Sequence, residues 1–258
     1  MFAPLTLPLV VLVAFAMPVM WKRGQWSRVR QQLWLPLLAA LAVTGIVALL
    51  GVRGLGVSAA ILMALWCIAG ALAEPVRVLR RRSRVRLSRS QWGMTVAHCG
   101  LGVFVLGVAL VNHGSIERDV RLAPGETAEF SGYVFQFGGV SREEGPNYHA
   151  DVGLVDIMRD GRLIATLEPE KRYYRTGGNP MTEAAIDISP LRDLYVSLGE
   201  PVQGGAWILR LYVKPLIRWI WLGALMMALG GALAATDRRY RLKSRAPASV
   251  PSAQTAQA

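Results

Sequence analysis

Residues 92–111 read WGMTVAHCGLGVFVLGVALV, and residues 112–137 continue NHGSIERDVRLAPGETAEFSGYVFQF. The first stretch runs 20 residues with no acidic or basic side chain apart from His98, long enough to cross a ~30 Å hydrocarbon core at ~1.5 Å rise per residue. The second is polar and charged, and its apolar residues begin to alternate at Thr127-Ala128-Glu129-Phe130 and Tyr133-Val134-Phe135-Gln136-Phe137. A membrane helix therefore feeds a β-rich domain.

Working outward, four further apolar stretches of similar length fall at residues 3–21, 33–52, 55–73 and 216–235. Trp21, Trp34, Trp92, Trp219 and Trp221 lie near the ends of the stretches, as interfacial aromatics do. Three prolines, Pro4, Pro8 and Pro18, predict a kink in the first. Gly51-Val52-Arg53-Gly54 joins the next two as a tight helical hairpin, and Arg218 stands one turn inside the last, where it can snorkel. Over the 258 residues, 53% are hydrophobic, only 18% are charged and the mean hydropathy is +0.34, which argues against a disordered chain or a purely soluble enzyme.

Beyond Phe137, Leu154-Val155-Asp156-Ile157-Met158 and Leu163-Ile164-Ala165-Thr166-Leu167 flank Arg159-Asp160-Gly161-Arg162, a strong hairpin signal. Residues 206–213 read as another strand. The expected architecture is a multi-span α-helical membrane protein of about five transmembrane helices with an inserted β-rich domain. Its parts are four helices in 1–112, the β domain in 113–214, a fifth helix in 215–237 and a basic, then disordered, tail in 238–258.

Charge orients the chain. Residues 113–214 hold 11 Lys/Arg and 15 Asp/Glu, although the whole chain is formally +12. The basic excess sits in three clusters. Lys22, Arg23, Arg28 and Arg30 form the first; Arg77, Arg80, Arg81, Arg82, Arg84, Arg86 and Arg89 the second; Arg238, Arg239, Arg241, Lys243 and Arg245 the third. One topology puts all three in the cytoplasm and the β domain and N-terminus outside. The short loop around residues 77–89 is better explained by this rule than as a nucleic-acid patch, so no nucleic-acid partner is expected. No basic residue precedes the first stretch, unlike a signal peptide. The chain reads as though earlier spans were missing.

His98 is the candidate site residue. Counted from Trp92 at the cytoplasmic interface it lies ~9 Å deep. An ionisable group at that depth is expensive, and by default it faces other helices or a cofactor. Thr95, Gly102, Val105 and Ala109 share its helical face. Gly102, one turn away, removes side-chain bulk where a flat macrocycle would need room if His98 ligated haem iron. The alternative is a neutral histidine bonded to a neighbouring helix, the small residues serving helix packing. His113, at the outer interface, reads as a solvated cap residue, and His149, in the turn-rich Gly145-Pro146-Asn147-Tyr148-His149, as a surface-loop residue. Cys67 and Cys99, both inside apolar runs, read as small buried residues. There is no Gly-x-Ser-x-Gly, phosphate loop, His-Glu-x-x-His or Cys-x-x-Cys-His motif, so neither hydrolysis nor covalent haem on this chain is expected.

Several segments carry a resemblance to the C-terminal part of the CcmF family of cytochrome c-type biogenesis proteins. They are GMTVAHCGLGVFVLG at 93–107, ERDVR at 117–121, GPNY at 145–148, MTEAAID at 181–187, DLYVSLGEP at 193–201 and RLYVKPLIRWIW at 210–221. Their order and spacing make the similarity specific from about residue 92 to 241, and plausible for the spans before it. The resemblance implies a haem lyase component of the bacterial inner membrane with the 113–214 domain in the periplasm. Such a protein takes haem from a periplasmic haem chaperone and joins it to Cys-x-x-Cys-His motifs of apocytochrome c, with a thiol-handling chaperone subunit as a further partner. It implies that His98 is an axial ligand of haem b, shared with an N-terminal portion of the same protein. The tryptophan-rich segment, the two periplasmic haem-ligating histidines and the other transmembrane histidine of the family are not found here. The chain is therefore expected to be a C-terminal piece, from a truncated, frameshifted or naturally split gene, and not active alone.

Two functions remain open at this level. One is a haem lyase portion that supplies an axial ligand and a partner-docking domain. The other is a non-catalytic membrane scaffold that only docks assembly partners. In both, Tyr173-Tyr174-Arg175, Asn179-Pro180-Met181 and Leu191-Arg192-Asp193-Leu194-Tyr195 are candidate contact segments.

Overall fold

The computed structural model describes residues 11–13, 26–80 and 87–237. Its long helices are α1 (Trp26–Leu49), α2 (Leu55–Arg80), α3 (Arg89–Gly114) and α4 (Ile217–Ala235), with all the strands between α3 and α4. Helices α2, α3 and α4 are long and apolar enough to cross a membrane, while the apolar part of α1, Leu33–Leu49, is shorter. The expected first span, apart from residues 11–13, and the whole of the basic tail at 238–258 lie outside the described residues.

The chain forms two compact units. Of the described residues, the first takes in those up to Gly45, Leu62–Gly102 and 223–237; the second takes in Ile46–Ile61 and Val103–Leu222. In the first, Leu33 and Ala40 of α1 cluster with Trp66 of α2. Helices α3 and α4 meet through glycines. A Cβ on Gly93 would lie 2.5 Å from Gly230 O and Ala234 N, and one on Gly100 would lie 2.8 Å from Gly223 O and Met227 N. No side chain fits there, so the backbones approach closely, as expected of helices packed through small residues. Asp237, just past α4, is buried and accepts a hydrogen bond from Ser90 N at 2.9 Å in the first turn of α3. A carboxylate there satisfies an orphan amide and complements the helix dipole.

The second unit holds a β-sandwich. One sheet has the order β1 (Ile116–Leu122), β10 (Ala206–Pro215), β9 (Arg192–Val202), β8 (Ala185–Ile188). The other runs β2 (Thr127–Phe130), β3 (Tyr133–Glu144), β4 (Tyr148–Arg159), β6 (Glu170–Tyr174), β7 (Met181–Glu183), with β5 (Arg162–Leu167) also on β4. Every pairing is antiparallel. The Asp160-Gly161 turn forms as the sequence indicates, with φ of 52° and 73° and Arg159 opposite Arg162. Both central residues are left-handed, as a two-residue hairpin loop requires.

Alternation supplies the core. Phe135, Phe137, Val155 and Ile157 from one sheet meet Leu194, Val196, Leu198, Leu209 and Leu211 from the other, and all are fully buried. Phe135→Ala is expected to cost about 3–5 kcal/mol, the range for removing a buried aromatic. A thermal melt of the purified protein checks this; the same change at exposed Glu129 should leave the midpoint unmoved.

Candidate functional site

His98 lies in the N-terminal half of α3 and is half-buried. Its Nδ1 is 2.7 Å from the Met94 carbonyl oxygen, one turn earlier. A carbonyl can only accept, so Nδ1 carries the proton of that bond. In the neutral imidazole this leaves the Nε2 lone pair free. A ligating histidine usually has its other ring nitrogen fixed in this way, by a backbone carbonyl or a carboxylate. Around it, Cys67 Sγ of α2 donates to the His98 carbonyl at 3.4 Å, and buried Thr95 donates its hydroxyl to Gln91 O at 3.0 Å. Both cysteines are free thiols, Cys67 buried and Cys99 half-buried.

The expectation for Gly102 is corrected. A Cβ there would run into Ile68 Cγ1 and lie 2.8 Å from Ala64 O, both of α2. The bulk missing from Gly102 is taken up by close helix packing and not by an open slot beside the imidazole. At 100° per residue His98 and Gly102 fall on the face of α3 opposite Gly93 and Gly100, so α3 has α4 on one side and α2 on the other.

The other histidines are elsewhere. His113 is exposed in the last turn of α3, 15 residues along the helix, or ~22 Å from His98. One iron cannot take both. His149 is on β4, stacked on Tyr173 of β6 at 4.9 Å between centroids and 9° between planes. The surface-loop expectation for it is thereby corrected: it is a half-buried strand residue. Beside it, Tyr148 packs on Tyr174 and under Arg172. Burial, with Asp151 nearby, pushes the Tyr173 phenol above its ordinary range. Among the described residues no group of three His, Cys, Asp or Glu side chains could hold a metal ion. Towards haem, the donor chemistry of His98 therefore fits one axial position, and the packing at Gly102 allows no ring on that patch of α3.

The sequence missed a buried ion pair where the sandwich meets α4. Arg218 does not simply snorkel: its Nε is 3.1 Å from Asp193 Oδ2, and Asp193 is only 1% exposed. Ser189 N donates to Asp193 Oδ1 at 3.2 Å. Leu216, at φ 55°, turns the chain from β10 into α4, and its N–H donates to Leu191 O at 2.9 Å. The partners are 25 residues apart, a separation no local pattern reports. Part of the Leu191–Tyr195 contact segment is thereby reassigned, because Asp193 and Leu194 are buried. Losing one partner should cost unequally. Arg218→Met leaves a buried carboxylate unpaired and is expected to cost about 3 kcal/mol or more. Asp193→Asn leaves a part-exposed arginine and should cost about 1–3 kcal/mol. Thermal melts of both, and of the double variant, which should recover part of the loss, check the asymmetry.

Comparison with known proteins gives a consistent result. Residues 113–215 match the family model described as the CcmF C-terminal beta-sandwich. The chain is 44% identical over 249 residues to the cytochrome c-type biogenesis protein CcmF of Pseudomonas aeruginosa, covering 94% of this chain and 38% of the relative. It is 38% identical over 253 residues to CcmF of Escherichia coli, covering 98% of this chain and 39% of that protein. It is 40% identical over 252 residues to the cytochrome c-type biogenesis protein ccl1 of Rhodobacter capsulatus, covering 93% and 37%. A solved structure, Cytochrome c Heme Lyase CcmF, shares the fold with a TM-score of 0.75 at 24% identity, over 90% of this chain and 39% of that one. The chain thus spans little more than a third of the length of these relatives.

Proposed function

We propose, on the premise that this chain is the counterpart of the C-terminal part of the CcmF cytochrome c-type biogenesis proteins, that it is the C-terminal portion of a cytochrome c haem lyase. In this reading it provides one axial ligand, His98, to a b-type haem, and a periplasmic domain that docks partners. The opposing ligand comes from the part of the longer relatives that this chain does not span. When bound, such a haem would supply one-electron transfer chemistry beside the site where the substrate haem is attached. The chain's own contribution is to hold the imidazole: the Met94 carbonyl fixes the ring and directs Nε2 away from its own backbone. That hydrogen bond is the observation that carries the proposal. The partners are a haem chaperone, apocytochrome c and its thiol-handling chaperone, at the bacterial inner membrane.

The orientation has support of its own. The Asp237–Ser90 hydrogen bond holds residue 237, after the end of α4, beside residue 90 at the start of α3, so both lie at one end of this helix pair. With the basic residues that the sequence carries at 77–89 and from 238, the positive-inside rule supports a cytoplasmic position for that end and a periplasmic one for 113–214. Reporter fusions should find Gly125 outside and Arg82 inside; the reverse pattern overturns the topology.

One observation favours a second reading. Ile68 packed at Gly102 is what a structural helix face looks like, and it suits a scaffold in which His98 only packs. Cytochrome c maturation separates the two. Cells carrying this chain alone should attach no haem to an apocytochrome, and adding the N-terminal portion of a relative should restore attachment. Maturation by the chain alone would sink the proposal; restoration that survives loss of the His98 imidazole would favour the scaffold.

A further inference from the structure

The end of the sandwich that joins the helices carries apolar side chains that its own core does not use. Ile188 and Leu191 are 61% and 66% exposed, and Ile116 is 44% exposed. Their place is fixed by the chain path. Ile116 follows the last residue of α3, Gly114, by two positions. Leu191 O accepts from Leu216 N at 2.9 Å, one residue before α4, and Pro190 O accepts from the Trp219 indole at 3.2 Å in the first turn of α4. Three ion pairs lie at this end: Arg218 with Asp193, Arg192 with Asp187 and Arg159 with Asp160. On the outer face of the β9–β10 pair, the Lys214 ammonium lies 4.7 Å from the centroid of Tyr195 and 5.1 Å from that of Tyr212.

We propose that this rim is a lipid-contact surface: the 188–191 corner sits in the headgroup region of the bilayer that α4 crosses. The chemistry fits a membrane interface. Apolar tips enter the acyl boundary while the tyrosine–lysine cluster meets the headgroups. An ammonium held over two tyrosine rings at the headgroup level is a favourable interfacial arrangement. The neutralised ion pairs lower the cost of leaving bulk water. The occupant is lipid because the corner is tied to the first turn of α4, a helix long and apolar enough to span a bilayer, through Leu216 and Trp219, and Trp221, two residues on, is 70% exposed. The corner then fixes the height of the sandwich above the membrane. This inference needs only that α4 spans a bilayer, and it stands apart from the haem assignment.

The test is photocrosslinking of the full chain in phospholipid nanodiscs. Benzoyl-phenylalanine is placed singly at Ile188, Leu191, Leu225 and Gln203, and phospholipid adducts are read by mass spectrometry. Leu225, exposed within α4, reports the hydrocarbon core; Gln203, in the turn at the opposite end of the β9–β10 pair, reports water. Adducts at Ile188 and Leu191 should be about tenfold or more above those at Gln203 and comparable with those at Leu225. Adducts at Leu225 with none at either corner position overturn the proposal, as do crosslinks from the corner to protein. Failure at Leu225 as well overturns it together with its premise that α4 is a span.

Discussion

His98→Ala is expected to abolish, or nearly abolish, the low-spin b-haem spectrum of the protein assembled with the N-terminal portion of a relative. His113→Ala and His149→Ala should leave it intact. The asymmetry follows from position. His98 is the imidazole within the helical layer, held by Met94 O through Nδ1. His113 is exposed at the end of α3, and His149 is stacked on Tyr173 in the sandwich. If His98 holds the haem iron, its loss would open a coordination position, and any haem that stays would turn high-spin. The isolated chain should bind haem weakly or not at all, since one histidine cannot supply both trans positions. A full low-spin spectrum in His98→Ala would make this histidine a packing residue.

The second large effect lies in the α3–α4 seam. Gly230→Leu is expected to remove most of the folded protein, because a Cβ there already collides with the backbone at Ala97 N and lies 2.6 Å from Gly93 O. These contacts are to backbone, so no rotamer change relieves them. The helices would have to separate by more than a side-chain adjustment. Overpacking of a close-packed site costs about 1–3 kcal/mol, and more when backbone blocks the relaxation. Gly231→Leu, one residue on, meets nothing within 4 Å and serves as the control. Expression and size-exclusion profiles of the two variants in detergent give the readout. Equal recovery of both would show that the seam does not hold the helices together.

How much could be read from sequence depended on the range of the interaction. The apolar run at 92–111 and the Asp160-Gly161 turn are local signals, and α3 and the β4–β5 hairpin form where they indicate. β9 was legible only in part. Its Leu194, Val196 and Leu198 face the core, yet the segment begins Arg192-Asp193 and ends Gly199-Glu200-Pro201-Val202, which masks the alternation. The charged ends made the segment look like a contact surface, and pairing with β8 and β10 makes it a central strand. Gly102 failed differently. A glycine beside a histidine shows that bulk is missing, but what fills the place is Ile68, 34 residues earlier on another helix. The same limit hid the Asp193–Arg218 pair. The local bond from His98 Nδ1 to Met94 O spans one helical turn, so the i−4 carbonyl was a partner within reach of a sequence reading.

The most direct measurement of the central claim, that His98 ligates haem, is chemical rescue. His98→Gly, assembled with the N-terminal portion of a relative, is titrated with imidazole while the visible and paramagnetic resonance spectra are followed. The account predicts a high-spin or haem-depleted protein that regains the low-spin spectrum as imidazole fills the vacated axial position. A low-spin spectrum present before imidazole is added, and unchanged by it, would contradict the account.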